Sequence, residues 1–241
     1  MASGRWHVTC SPLHLLTLST MNNFLGFIIC LAYVFAIIGL AEGLRRWRGY
    51  GSGFTRKVIH IGVGMMSWFL HYLFDNPWPF VAACVAFMVI NLLDWRYGFF
   101  AAMASSDRSN LGTVYFPLAA GVVALVFWEQ PPLMVAALMP LTWGDGMAPV
   151  VGKAYGRRHY IVASHTRTYE GSLGFFVACF IFTWLALWLI PGSPAITPLQ
   201  ALAPALTLTV VTTLIEAVSI WGLDNLTITA AAILILSVWP F

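Results

Sequence analysis

Asp145 stands in the run Trp143-Gly144-Asp145-Gly146-Met147-Ala148-Pro149, where a long apolar stretch gives out, and Gly152-Lys153-Ala154-Tyr155-Gly156 follows closely. A lone carboxylate at a membrane edge is costly and is rarely decorative. Flanking glycines let backbone approach a ligand. A carboxylate with nearby Lys, Arg and bare N–H groups suits a Mg²⁺–triphosphate. The stretch continues through Arg157, Arg158 and His159 to Thr166-Arg167-Thr168-Tyr169-Glu170-Gly171-Ser172. The plain alternative is a basic loop with a Gly-rich turn. No GxxxxGK[ST] pattern occurs, which excludes a P-loop.

A second group is Thr55-Arg56-Lys57-Val58-Ile59-His60. On a helix, Arg56 and His60 share a face, and Lys57 lies one turn from His60. Two cations at a helix N-terminus suit a phosphate. Membrane-edge anchoring is the plain alternative for the cations, and helix packing for His60. A third group is Glu216 with Gly222-Leu223-Asp224-Asn225-Leu226, two acids and an amide around a helix-to-helix turn. Asp224 is alternatively an N-cap. A fourth, weaker group is Asn91 with Asp94, for which a salt bridge to Arg96 is the plain alternative.

The elements that carry these groups follow from composition. Of 241 residues, 60% are hydrophobic and 9% charged, where a soluble domain carries about 25% charged residues. Disorder and an ordinary soluble domain are both excluded. The expectation is an all-α, polytopic membrane helix bundle of about eight helices, with seven as the lower count. Spanning runs need about 20 mainly apolar residues. They are read at 24–41, 58–74, 77–93, 110–128, 130–144 (extendable to 151), two within 171–215 and one at 225–241. Pro191-Gly192-Ser193-Pro194 splits the long run. The runs lack strict alternation, which argues against a barrel. Residues 1–22 form a short N-terminal segment with no evident cleavable leader, and 23–241 a single membrane domain.

Alternating spans place 44–57, 95–109 and 152–170 on one face, and these hold 11 of the 12 basic residues. The positive-inside rule then puts these loops in the cytoplasm and the N-terminus outside. Cys10, Cys30, Cys84 and Cys179 are scattered without metal or disulfide spacing. They read as small packing or lipid-facing residues. The chemistry-bearing groups are distant in sequence but share one face. A charged nucleotide from the cytosol would there meet a lipid arriving sideways. A transporter would more naturally carry ionisable groups near the midplane.

Together, Arg56-Lys57-x-x-His60, Gly144-Asp145-Gly146-x-Ala148, the pair Gly152 and Gly156, Glu170-Gly171-Ser172, Glu216 and Gly222-x-Asp224-Asn225-Leu226-Thr227 resemble the CTP-dependent polyprenol and phytol kinase family. That family is similar to dolichol kinases and CTP-using diacylglycerol kinases. The resemblance implies transfer of the γ-phosphate of CTP to a membrane-embedded isoprenoid alcohol such as phytol, farnesol or a polyprenol. It implies that Asp145 and its loop hold nucleotide and Mg²⁺, and that Glu170, Gly171 and Ser172 belong to the same site. Arg167 stands where relatives commonly carry Lys, and Pro149 where they often carry Asp or a similar residue.

On this reading Asp145, with Glu216 or Asp224, holds the metal. Arg56, Lys57, Lys153 and Arg167 neutralise phosphates beside Gly144, Gly146 and Gly152. His60 or a carboxylate orients the alcohol, and Asn225, Asn91 and Asp94 are accessory. The rivals are a diacylglycerol kinase, a cytidylyltransferase, and a small transporter or scaffold. No nucleic-acid partner is expected. The membrane is the inner membrane of a bacterium, or an ER or plastid membrane of a eukaryote.

Overall fold

The computed structural model describes residues 23–98, 111–162, 165–219 and 222–241. Segment 1–22 with His7, Cys10 and His14, and the loop charges Asp107 and Arg108, lie outside the described residues. Helix α1, Asn23–Arg48, ends in Arg45, Arg46 and Arg48, which suit the negative pole of its dipole. Arg45 and Arg46 also bond Glu42 one turn back. Helix α2, Ser52–Met65, is followed by a 3-10 turn, Met66–Trp68, and a short α3, Leu70–Leu73. The span expected at 58–74 therefore starts earlier and is broken midway. Gly62 and Gly64 weaken the helix just before the break. Trp68 Nε1 donates to Met139 Sδ at 3.4 Å, fixing the turn on the bundle centre.

Helix α4, Trp78–Tyr97, starts at a proline pair and stops at Gly98, whose φ of 73° is the left-handed conformation that favours glycine. Helix α5 is Gly112–Phe127. Then come α6 (Pro131–Met139), a π-helical turn (Pro140–Asp145) and α7 (Gly146–Tyr155). They make one helical passage, so the run at 130–144 takes its longer form, extending past 151, and no Gly-rich turn ends it at Asp145. Glycine and proline there widen the helix rather than end it. Every residue of α6 from Pro132 to Met139 is buried, as befits a helix apolar on all sides at the centre of a bundle.

The polar segment after α7 forms a hairpin and not the basic loop that was its plain alternative. Strands β1 (His159–Val162) and β2 (His165–Thr168) pair antiparallel, with Tyr160 opposite Arg167. Aromatic and β-branched residues in this stretch favour strands. Helix α8, Tyr169–Leu189, is capped by Thr168, whose side chain accepts from Gly171 N at 3.0 Å. Helix α9, Pro198–Val218, opens on a capping box between Thr197 and Gln200. Helix α10, Asp224–Ser237, closes the bundle.

Among the described residues five helical passages are long and apolar enough to cross a membrane: Asn23–Arg48, Trp78–Tyr97, Pro131–Tyr155, Tyr169–Leu189 and Pro198–Val218. Shorter apolar helices are Gly112–Phe127 and Asp224–Ser237. With the broken α2–α3 element, these account for the eight runs read from the sequence. In an 18-residue apolar stretch of Pro131–Tyr155 67% of residues are buried, against 22% in that of Asn23–Arg48, so this passage forms the axis around which the others pack. Large apolar side chains such as Phe35, Leu199 and Leu214 face outward, as a lipid-facing surface requires. Cys30, Cys84 and Cys179 are buried and unbridged; of the two expected roles, they take packing.

Candidate active site

The π turn carries Asp145 into the bundle, and α2 crosses it with Lys57 and His60. Lys57 Nζ donates to Asp145 Oδ2 at 2.7 Å and to the Asp145 backbone carbonyl at 3.0 Å. Pro149 lies four residues after Asp145 and has no N–H, so the ordinary helical donor to that carbonyl is missing. The lysine ammonium occupies the acceptor. His60 Nε2 lies 2.7 Å from the Leu141 carbonyl. A carbonyl only accepts, so Nε2 carries a hydrogen, and in the neutral ring Nδ1 is an acceptor. The same nitrogen is 3.4 Å from Asp145 Oδ2. The Phe116 ring packs against the imidazole at 4.4 Å.

These side chains sit at the polar end of a single cleft among α1, α2, α4, α5 and the start of α10. Arg56, Lys57, His60, Asn91, Asp145, Asp224 and Asn225 all line it. Asp224 lies within electrostatic reach of Asp145, Lys57 and Arg167. Its Oδ1 accepts from the Asn225 backbone N at 2.9 Å and from Asn225 Nδ2 at 3.2 Å. Asn225 Oδ1 is buried with no hydrogen-bond partner. Asn91 Nδ2 donates to the Thr113 carbonyl at 2.8 Å. Away from this end the lining is mostly apolar, with Val34, Phe80, Cys84 and Phe87 among it and Ser67 as a polar exception.

Other expected site residues lie outside this lining. Arg167, on β2, bonds Glu216 and also donates to the Ser219 carbonyl at 2.6 Å. It thus neutralises the one acid buried in α9 and caps that helix. Glu216 is engaged there, so the acidic trio Asp145, Glu216 and Asp224 is divided. Among the described residues no three His, Cys, Asp or Glu side chains converge as a metal cluster.

Glu170 accepts from Arg158 N at 3.3 Å through both oxygens, and Ser172 shares a 2.7 Å hydrogen bond with Tyr160. Both fasten the hairpin to α8. Asp94 lies on α4, and its carbonyl accepts from Gly98 N at 2.7 Å.

The glycines are contact points between helices. A Cβ at Gly144 would strike the Phe175 ring, and one at Gly146 would strike Ile61. Gly152 and Gly171 face each other where α7 crosses α8: a Cβ on Gly171 would lie 2.9 Å from the Ala148 carbonyl and 3.4 Å from Gly152 Cα. Lys153 Nζ reaches over the first turn of α2, 3.1 Å from where a Cβ on Gly53 would be. Because α2 starts at Ser52, Arg56 and Lys57 lie a turn inside the helix and not at its N-terminus as expected; Lys153 is the cation beside that terminus.

Thr142 and Ser67, which no sequence motif marks, line the cleft with buried hydroxyls lacking partners. The Leu141 carbonyl, which anchors His60, is likewise unmarked by side-chain pattern. The spacing of Asp145 and Pro149 was the available signal for the Lys57 contact, since a proline strips the donor from the fourth residue before it.

An apolar multi-pass bundle, with a cleft among its described residues that is mostly apolar along its length and ionic at one end, defines an integral-membrane protein. Comparison with known proteins agrees. The chain is 30% identical over 205 residues to a phytol kinase of Synechocystis, covering 84% of this chain and 86% of that one. It is 26% identical over 225 residues to a probable chloroplastic phytol kinase of Triticum aestivum, covering 85% and 73%. It is 21% identical over 175 residues to a chloroplastic farnesol kinase of Arabidopsis thaliana, covering 68% and 57%. No family model and no solved structure matches. The chain belongs to the phytol kinase family.

Proposed function

We propose that this protein is a prenol kinase that moves the γ-phosphate of CTP onto the hydroxyl of an isoprenoid alcohol. The observation that carries the reading is the shared cleft, in which Lys57, His60, Asp145 and Asp224 stand at the head of an apolar trough. An amphiphilic alcohol lies along the trough with its hydroxyl at the ionic end. CTP as donor follows from the resemblance of the motifs. The cytoplasmic placement of the ionic end follows from the basic residues beside it, by the positive-inside rule.

Phosphoryl transfer is mostly positioning and charge neutralisation. Lys57 and Arg56 face the transferring phosphate, and Lys153 stands by the α2 N-terminus, where backbone N–H groups favour phosphate oxygens. His60 Nδ1 accepts the hydrogen of the attacking hydroxyl while Nε2–H stays anchored on Leu141. A strong base is not required for a loose transition state.

Mg²⁺ is commonly held by one or two carboxylates plus substrate phosphates. Asp145 and Asp224 are the carboxylates lining the cleft, and the unpartnered Asn225 Oδ1 is a further oxygen donor, so these residues fit the ion. When bound, it neutralises charge developing on the phosphates.

The test is product analysis in membranes carrying the protein. Labelled CTP and ATP are offered with phytol, farnesol, a long polyprenol and diacylglycerol. Phosphorylated prenol with CDP release supports the reading. Pyrophosphate release would make the protein a cytidylyltransferase, label on diacylglycerol alone would make it a different lipid kinase, and no label on any lipid would leave the transporter reading standing.

A further inference from the structure

The cleft has a closed end, and we infer that it gauges the chain length of the alcohol. This deepens the kinase reading and rests on it. The lining follows three helices in step: Ile38 to Phe27 on α1, Arg56 to Ser67 on α2 and its continuation, and Asn91 to Phe80 on α4, with Arg56, Lys57, His60 and Asn91 toward one end and Phe27 and Phe80 at the other. At about 1.5 Å per residue, the α1 and α4 stretches each cover about 16 Å of axis.

Beyond Phe27 and Phe80 the bundle shuts. Leu70, Phe74 and Phe80 are buried in one cluster. Gly26 brings α1 so close that a Cβ there would meet the Leu73 carbonyl and the Phe74 ring. The side opening lies nearer the ionic end, where Phe35 and Ile90 both line the cleft and remain exposed on the lipid-facing surface.

A staggered hydrocarbon chain advances about 1.25 Å per bond, given C–C bonds near 1.5 Å. About 16 Å then takes roughly twelve or thirteen chain carbons, or about three isoprene units at four chain carbons each. A fourth unit fits by bending. An eleven-unit polyprenol must leave through the side opening and forgo the deep contacts. Ala83 and Ala120 line the deep end and are buried. They set its depth, because a larger side chain at either position fills the space that the last isoprene unit takes.

The experiment compares kcat/KM for geraniol, farnesol, geranylgeraniol and undecaprenol in the same membranes, for wild type, Ala120→Phe and Ala83→Phe. The wild type is expected to prefer farnesol and geranylgeraniol, with undecaprenol lower by at least about tenfold. Each variant is expected to lower the geranylgeraniol-to-geraniol ratio by about tenfold. That ratio does not depend on how much protein has folded. Undecaprenol used as well as geranylgeraniol by the wild type would overturn the gauge, as would variants that lower geraniol and geranylgeraniol equally. A variant that inserts but has lost turnover on every prenol counts against it too. If no prenol is phosphorylated by the wild type, it is the kinase reading that fails; phosphorylation with a flat length profile removes the gauge alone.

Discussion

Lys57 grips Asp145 twice, once at the carboxylate and once at the main-chain carbonyl, with Nζ 2.7 Å from Oδ2 and 3.0 Å from the carbonyl oxygen. The two side chains are largely buried, at 12% and 17% exposure. One ammonium thereby fixes both the charge and the backbone of the π turn. Removing one partner of a buried pair leaves the other charge uncompensated, at a cost of about 3–5 kcal/mol. Lys57→Ala is expected to lower thermal stability in detergent and to reduce prenol phosphorylation at least about 100-fold. The double variant Lys57→Met with Asp145→Asn should recover stability without activity. Recovery of both, or wild-type turnover in Lys57→Ala, would contradict the assignment.

Pro149 leaves the Asp145 carbonyl to Lys57. Pro149→Ala restores an amide N–H at the position where an α-helix would use it, and removes a helix breaker. The expected result is equal or higher thermal stability with turnover several-fold lower, because the new donor competes with Lys57 for the carbonyl. Unchanged turnover would show that the carbonyl contact does not position the lysine.

Arg167 joins the hairpin to the end of α9 through Glu216 and Ser219. Arg167→Ala strands a carboxylate that is only 7% exposed, and should destabilise by about 3 kcal/mol. Arg167→Ala combined with Glu216→Gln should return most of that loss, as read by thermal unfolding in detergent. If Arg167 serves phosphate and not Glu216, the double variant will be no more stable than the single.

Gly171 sits where α8 meets α7, with a Cβ there 2.8 Å from Thr168 Oγ1 and 2.9 Å from the Ala148 carbonyl. Overpacking of this kind costs about 1–3 kcal/mol. Gly171→Ala should therefore lower the unfolding temperature and leave the KM for alcohol close to wild type. A large rise in that KM at unchanged stability would instead place Gly171 on the substrate path.

Much of this is legible in the amino-acid sequence. Helical spans follow from apolar runs of membrane length, and the broken run at 191–194 from its prolines. The ionic cluster was legible because carboxylates and cations inside apolar helices are expensive and so stand out. Lys57, His60, Asp145 and Asp224 could be grouped by the face they share.

Pairing was less legible. Charge pattern alone does not say that Arg167 meets Glu216, because that contact joins a hairpin to a helix end far along the chain. Gly144, Gly146, Gly152 and Gly171 were read as openings for phosphate, whereas they let helices touch; a glycine serves either purpose equally well in one sequence. The π turn at Pro140–Asp145 was hidden too, since glycine and proline there read more simply as a stop.

The most direct test follows the terminal phosphate of CTP under single-turnover conditions, comparing wild type with Asp145→Asn at matched amounts of folded protein. The wild type is expected to pass label to farnesol or geranylgeraniol with CDP released, and the substitution to slow this step at least about 100-fold. Transfer at the wild-type rate in Asp145→Asn would contradict it, because the ionic end of the cleft would then not be where the phosphate moves.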